Sequence, residues 1–117
     1  MTIQHKIVVI LGAGESGVGA AILAQKMGAT VFVSDFGKIN AEYQEELNRF
    51  GLSWEQEQHT MDKILAADVV IKSPGIPEKA PVMKAVREKG IRVVSEIEFA
   101  GYFCSVCNLF DDKYKEK

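Results

Sequence analysis

A glycine-rich hexapeptide, Gly12-Ala13-Gly14-Glu15-Ser16-Gly17, stands between the apolar run Lys6-Ile7-Val8-Val9-Ile10-Leu11 and a segment of helical pattern. Its spacing is G-x-G-x-x-G, and each glycine has a separate task. The first permits a tight turn, the second lets a phosphate approach the backbone, and the third allows a helix to pack closely on a strand. Amides following Gly14 would open the helix, so free N-H groups and the positive end of the helix dipole would meet an anion together. Ser16 would add a hydroxyl donor. Glu15 fits beside a phosphate through its backbone, with its carboxylate turned to solvent. The alternative is a glycine turn used for packing alone.

Two other groups of residues fall where the same ligand would lie. Asp35 ends a second strand-like run, 21 residues beyond Gly14, where a dinucleotide fold places the acid that accepts from ribose hydroxyls. An acid at a strand end equally caps the next element or reads a base edge, so Asp35 supports binding without naming the ligand. Ser73-Pro74-Gly75-Ile76-Pro77 ends the fourth strand, Asp68 to Ser73, and offers a serine hydroxyl and a glycine amide to the same crevice. Taken alone it is a rigid turn before a helix. Glu96 and Glu98 have no nucleophile or metal cluster beside them in sequence and read as solvated helix charges.

The elements that must position these residues alternate. Lys6 to Leu11 is a β-branched run of the kind buried on both faces of a parallel sheet. Val18, Ala21, Ile22, Ala24 and Met27 form a helix face stopped by Gly28, and Thr30 to Ser34 is strand two. Ala41 to Phe50 is helical, with Tyr43, Leu47 and Phe50 on one side. Leu52 to Trp54 gives a short third strand and Met61 to Ala66 a short helix. Val82 to Lys89 is a helix closed by Gly90, Ile91 to Val94 a fifth strand, and Glu96 to Phe103 a last helix. This alternation predicts an α/β, Rossmann-like parallel five-stranded sheet of order 3-2-1-4-5 with helices on both faces. Ligands in such sheets collect beyond the carboxyl ends of the strands, at the switch point between strands one and four.

Bulk properties narrow the function classes. The 117 residues are 47% hydrophobic and 26% charged, which suits one folded domain with its own core. A net charge of -2 without a basic run argues against a nucleic-acid partner. The N-terminal apolar run is too short for a signal segment or a membrane span, so a cytoplasmic location and no membrane partner are expected. Cys104 and Cys107 form a lone C-x-x-C, and His5 and His59 supply no spaced pair to complete a zinc site. Two unpaired thiols are the expectation there.

Ile10 to Gly17, Ser34-Asp35, Val70 to Pro77 and Ser95-Glu96-Ile97-Glu98-Phe99 together resemble the Mur ligase N-terminal domain, in its D-glutamate-adding branch. The resemblance runs from about Lys6 to Tyr102 and rests on several ordered motifs. It implies residues 1–103 as a Rossmann-like domain binding UDP-N-acetylmuramoyl-L-alanine. The diphosphate would lie at Gly14, Glu15, Ser16 and Gly17, entered through the turn at Gly12. Uracil would lie near Asp35 and Phe36, and the sugar along Gly75, with Ser73 a further substrate-binding residue in the same wall. No catalytic residue and no metal ligand is assigned.

The resemblance also implies a cytoplasmic, ATP- and magnesium-dependent carbon-nitrogen ligase of peptidoglycan synthesis with central ATPase and C-terminal domains. No Gly-x-x-x-x-Gly-Lys-Thr or Ser loop occurs in the chain, so it is expected to hold no cofactor, to be inactive in ligation by itself, and to act as a truncated domain. Residues 104–117 depart from the family pattern and are expected to form a partly disordered tail. The competing readings are an NAD(P)-binding Rossmann domain of an oxidoreductase or sensor, and an interaction domain that has lost its ligand.

Overall fold

A computed structural model describes residues 3–101. The expectations for Cys104, Cys107 and the 104–117 tail lie outside these residues. The elements run β1 (Ile7–Leu11), α1 (Glu15–Lys26), β2 (Thr30–Asp35), α2 (Ala41–Arg49), β3 (Ser53–Gln56), α3 (Met61–Ile64), β4 (Val69–Lys72), α4 (Pro81–Lys89) and β5 (Arg92–Ser95). Residues 96–101 are helical.

All neighbouring strands pair in parallel, in the order β3-β2-β1-β4-β5, as the sequence predicts. The two-residue period of a strand divides β1 between two cores. Val8 and Ile10 face a cluster with Val18, Ala21 and Ala24 of α1 and Leu47 of α2. Val9 and Leu11 face Ile64 of α3 with Val82, Met83 and Val86 of α4. Helices therefore cover both faces, and Val8 to Leu11 of the central strand are withdrawn from water, with Ile7 at its entry exposed. At about 25 cal/mol per Å² of apolar surface, such side chains stabilise by roughly 1.5–3 kcal/mol each.

Differences from the sequence reading sit at element ends and have local causes. β3 runs through Gln56 and not only to Trp54, because its backbone pairs Ser34 with Glu55 and Asp35 with Gln56 although its side chains are polar. α3 stops at Ile64, two residues short of Ala66. α4 starts at Pro81, where the missing N-H costs nothing in a first turn. It closes on Gly90 at φ 79°, the left-handed cap that glycine adopts without strain. Glu98 is not a free solvated charge: its carboxylate accepts from the Ser95 amide at 2.9 Å while the Ser95 hydroxyl accepts from the Glu98 amide at 3.0 Å. That reciprocal capping box starts the last helix.

Candidate functional site

The ends of β1, β2 and β4 converge on one cleft of about 690 Å³, a size suited to a small organic ligand. Gly12, Ala13 and Gly14 form one wall, Asp35 and Phe36 the second, and Ser73, Gly75 and Ile76 the third. The start of α4 closes the floor with Pro81, Val82 and Ala85.

The glycine loop is fixed from both sides. Gly12 leaves β1 at φ 101°, and a β-carbon there would lie 2.8 Å from the Ser73 Cβ, so glycine is required on both counts. Its amide donates to the Ser34 carbonyl at 2.9 Å. The next amide, of Ala13, donates to Asp35 Oδ2 at 2.8 Å, and Asp35 Oδ1 accepts from the Gly37 amide at 2.8 Å. Asp35 thus ties the loop after β1 to the turn after β2, and each of its oxygens already serves the backbone.

Gly14 caps α1 without any side-chain hydrogen bond. Nothing lies within 4 Å of where its β-carbon would stand, so backbone there is open to an approaching group. The amides of Glu15, Ser16 and Gly17 begin the helix, and the first intrahelical donor after Gly14 is Val18, whose amide bonds the Gly14 carbonyl at 2.9 Å. An opening turn with unpaired N-H groups is an anion receptor by geometry. Glu15 is exposed, as expected of a carboxylate turned away. Ser16 lines not the main cleft but a neighbouring depression with Pro74, Glu96 and Phe99. Gly17 is buried against the Gly12 carbonyl. In the opposite wall the Ser73 hydroxyl accepts from the Gly75 amide at 3.3 Å and its carbonyl from the Ile76 amide at 3.1 Å, a compact turn beyond β4.

Burial raises the pKa of Glu96 beside that depression, against the opposing pull of the Lys72 ammonium.

His59 was not among the residues expected at the site. It lies beyond β3, and its ring meets the Phe36 ring at 5.4 Å between centroids and 30° between planes. Phe36 itself is 73% exposed, an unusual position for a large apolar ring and one that suits a stacking surface. Behind them is a buried polar group. The Ser34 hydroxyl lies 2.7 Å from Glu55 Oε2 and 2.7 Å from His59 Nδ1, and Glu55 also accepts from the Thr60 amide and hydroxyl. Reading β3 through Gln56 would have placed the 57–60 loop at the same sheet edge as the other three walls, which is the signal that points to His59.

Burial pushes the Glu55 carboxyl up, but hydrogen bonds from Thr60 and Ser34 and the charge of His59 outweigh it and leave the pKa below its usual value. Burial pulls the His59 pKa below its usual value, with Glu55 and Asp35 opposing. Both groups have folded pKa values lower than unfolded ones, so both contribute stability that is complete above the unfolded value and lost as pH falls through the folded one. Urea denaturation is therefore expected to show stability declining first below about 6.5, the ordinary histidine value, and again below 4.5, the ordinary value for Glu55. Glu55→Gln should remove most of the second decline. An unchanged profile in that variant would remove Glu55 from the account.

Residues 6–95 match the family described as Mur ligase MurD-like, N-terminal domain. A UDP-N-acetylmuramoylalanine-D-glutamate ligase of Christiangramia forsetii is 59% identical over 101 residues, covering 86% of this chain and 23% of the relative. One of the same name from Porphyromonas gingivalis is 58% identical over 96 residues, covering 82% and 21%. The chain thus spans less than a quarter of the length of these curated relatives. Among solved structures, the UDP-N-acetylmuramate-alanine ligase of Thermotoga maritima superposes with a TM-score of 0.71 at 20% identity, over 89% of this chain and 23% of that one. A murein peptide ligase of Psychrobacter arcticus gives 0.72 at 25%, over 80% and 20%. These two likenesses concern the fold. With the family matched over most of its length and its glycine loop, its Asp35 and its Ser73 turn gathered round one cleft, the chain belongs to the Mur ligase MurD-like N-terminal domain family.

Proposed function

We propose that this domain holds UDP-N-acetylmuramoyl-L-alanine for a ligase that joins D-glutamate to it in peptidoglycan synthesis, a step of the cytoplasm. One observation carries the reading: an open, uncapped helix start at Gly14 faces a cleft of about 690 Å³ whose other walls pair an exposed aromatic ring, Phe36, with the polar Asp35 and Ser73 and the apolar Ile76. The diphosphate belongs at the amides after Gly14, the base at Phe36 and Asp35, and the sugar along Ser73 and Gly75. The name the relatives share, UDP-N-acetylmuramoylalanine-D-glutamate ligase, supports this choice of ligand.

The whole ligase would draw on ATP and magnesium and on central and C-terminal domains that supply their sites. The present residues do not fit those groups: the sequence has no Gly-Lys-Thr or Gly-Lys-Ser, and no cluster of three or more metal-ligating side chains exists among the described residues. The part of the reaction assigned to this chain is therefore substrate holding. No described helix is long and apolar enough to cross a membrane.

Calorimetric titration of the folded chain with UDP-N-acetylmuramoyl-L-alanine, UDP and NAD tests the reading. Saturable binding of both UDP compounds, tighter for the full substrate, is the expected result. The dinucleotide alternative predicts NAD as the tighter ligand. Preference for NAD, or no binding of any of the three, overturns the substrate assignment.

A further inference from the structure

The buried polar group behind the cleft fixes the protonation pattern of His59. Ser34 has one hydroxyl hydrogen and three neighbours for it: Glu55 Oε2 at 2.7 Å, His59 Nδ1 at 2.7 Å and the Gln58 carbonyl at 3.3 Å. The ionised Glu55 is the strongest acceptor of the three, and it has no proton to give back. Ser34 therefore donates to Glu55, and the short contact to His59 can be a hydrogen bond only if Nδ1 carries the proton. In the neutral ring this leaves a lone pair on Nε2, for which no described protein group serves as partner. The ring lines the cleft beside the exposed Phe36.

We propose that His59 reads the base of the bound nucleotide: Nε2 accepts from the N3-H of a uracil stacked on Phe36 and repels the lone pair that cytosine carries at N3. This rests on the nucleoside-diphosphate-sugar reading above and adds to it a residue that chooses the base. Bases out of a helix are recognised by this pairing of an aromatic platform with a hydrogen bond to the Watson-Crick edge. A site built around one such bond rejects the analogue that cannot make it, because its own polar atom is then left unpaired.

The charged groups around the ring are Asp35 on β2 and Glu55 on β3, both favouring the imidazolium, while burial favours the neutral form. From α3 the Lys63 ammonium lies over the Phe32 ring, 5.1 Å from its centroid, and the start of α4 contributes apolar Pro81, Val82 and Ala85 to the cleft. Protonation would turn Nε2 into a donor, so acid should weaken UDP and favour CDP. The ratio of the two affinities cancels the ionisation of the phosphates, which the ligands share.

The test is parallel titration of the 117-residue chain and its His59→Asn variant with UDP and CDP, at pH 8 and near pH 5.5. Asparagine retains a donor close to the Nδ1 position and removes Nε2. The native chain is expected to prefer UDP at pH 8, with the preference shrinking in acid. His59→Asn should lower the UDP-to-CDP ratio about tenfold at pH 8, roughly one hydrogen bond, with UDP affinity falling and CDP affinity rising as the repulsion at N3 is relieved. Nitrogen-detected NMR of the imidazole should show Nδ1 protonated and the His59 pKa falling further on UDP addition, since the ligand selects the neutral ring.

An unchanged ratio in His59→Asn with UDP still bound, a parallel fall for both nucleotides, or a proton found on Nε2 overturns the assignment of His59 alone. Failure of the native chain to bind either nucleotide overturns the substrate reading and this one with it.

Discussion

Replacing Gly14 by valine is expected to raise the dissociation constant for UDP by about a hundredfold while leaving the fold intact. The two halves of this expectation rest on different observations. Gly14 has φ -80° and ψ -167°, extended backbone that any residue adopts, and nothing stands within 4 Å of its β-carbon position. The protein therefore has no internal reason to require glycine there. Valine is a poorer N-cap, which costs up to about 1 kcal/mol, and a less flexible unfolded chain offsets part of that. The ligand, in contrast, would meet a branched side chain where a phosphate must approach the amides of α1. Losing two charge-assisted hydrogen bonds at about 1.5 kcal/mol each is a loss of about 3 kcal/mol, or roughly two powers of ten. Thermal unfolding and calorimetry on the same sample check both halves. Unchanged UDP affinity in the folded variant would remove the diphosphate from this loop.

The contrast between that glycine and its neighbours shows how far the sequence could be read. The order of the strands was legible because β1, β2 and β4 are runs of β-branched residues bounded by glycine, proline or aspartate, and such runs are buried on both faces only in a parallel sheet. β3 was legible in place but not in extent. Ser53-Trp54-Glu55-Gln56 has one buried side chain, Glu55, and no apolar alternation, because an edge strand is held by its backbone bonds and its single neighbour, β2. The cleft walls after β1 and β4 followed from their glycines and prolines, and the wall after β2 from the spacing of Asp35.

His59 did not follow, and the reason is physical. Its partners Ser34 and Glu55 come from different strands, and their meeting depends on the register that sets Ser34 opposite Glu55. A buried carboxylate inside a polar strand leaves no periodic signal. Ser95 and Glu98, on the other hand, carry a capping-box spacing that is readable in the sequence, whereas charge alone makes Glu98 a solvated group. Asp35 lines the cleft, but its oxygens face backbone amides that only the folded loop brings within reach.

Gly17→Ala is the converse of Gly14→Val, and its expected effect is on the fold. A single methyl group at Gly17 would run into the carbonyl oxygen of Gly12 and come within 3.0 Å of its carbonyl carbon, with Glu96 Oε2 at 3.3 Å on the far side. The carboxylate can swing aside. The carbonyl cannot, because the loop is held by hydrogen bonds from the Gly12 amide to the Ser34 carbonyl at 2.9 Å and from the Ala13 amide to Asp35. Relief requires α1 to withdraw from β1, which would open the packing of Val18, Ala21 and Ala24 on Val8 and Ile10. Overpacking in a core costs about 1–3 kcal/mol when side chains can adjust, so a clash with fixed backbone should reach about 3 kcal/mol or more, a large part of the stability of a domain this size. The expected result is a sharply lowered urea midpoint or an unfolded chain, from a change that alanine's high helix propensity would otherwise favour. A Gly17→Ala protein as stable as the parent would mean that the third glycine of the loop is not set by the approach of helix to strand. The loop would then owe its pattern to the ligand alone.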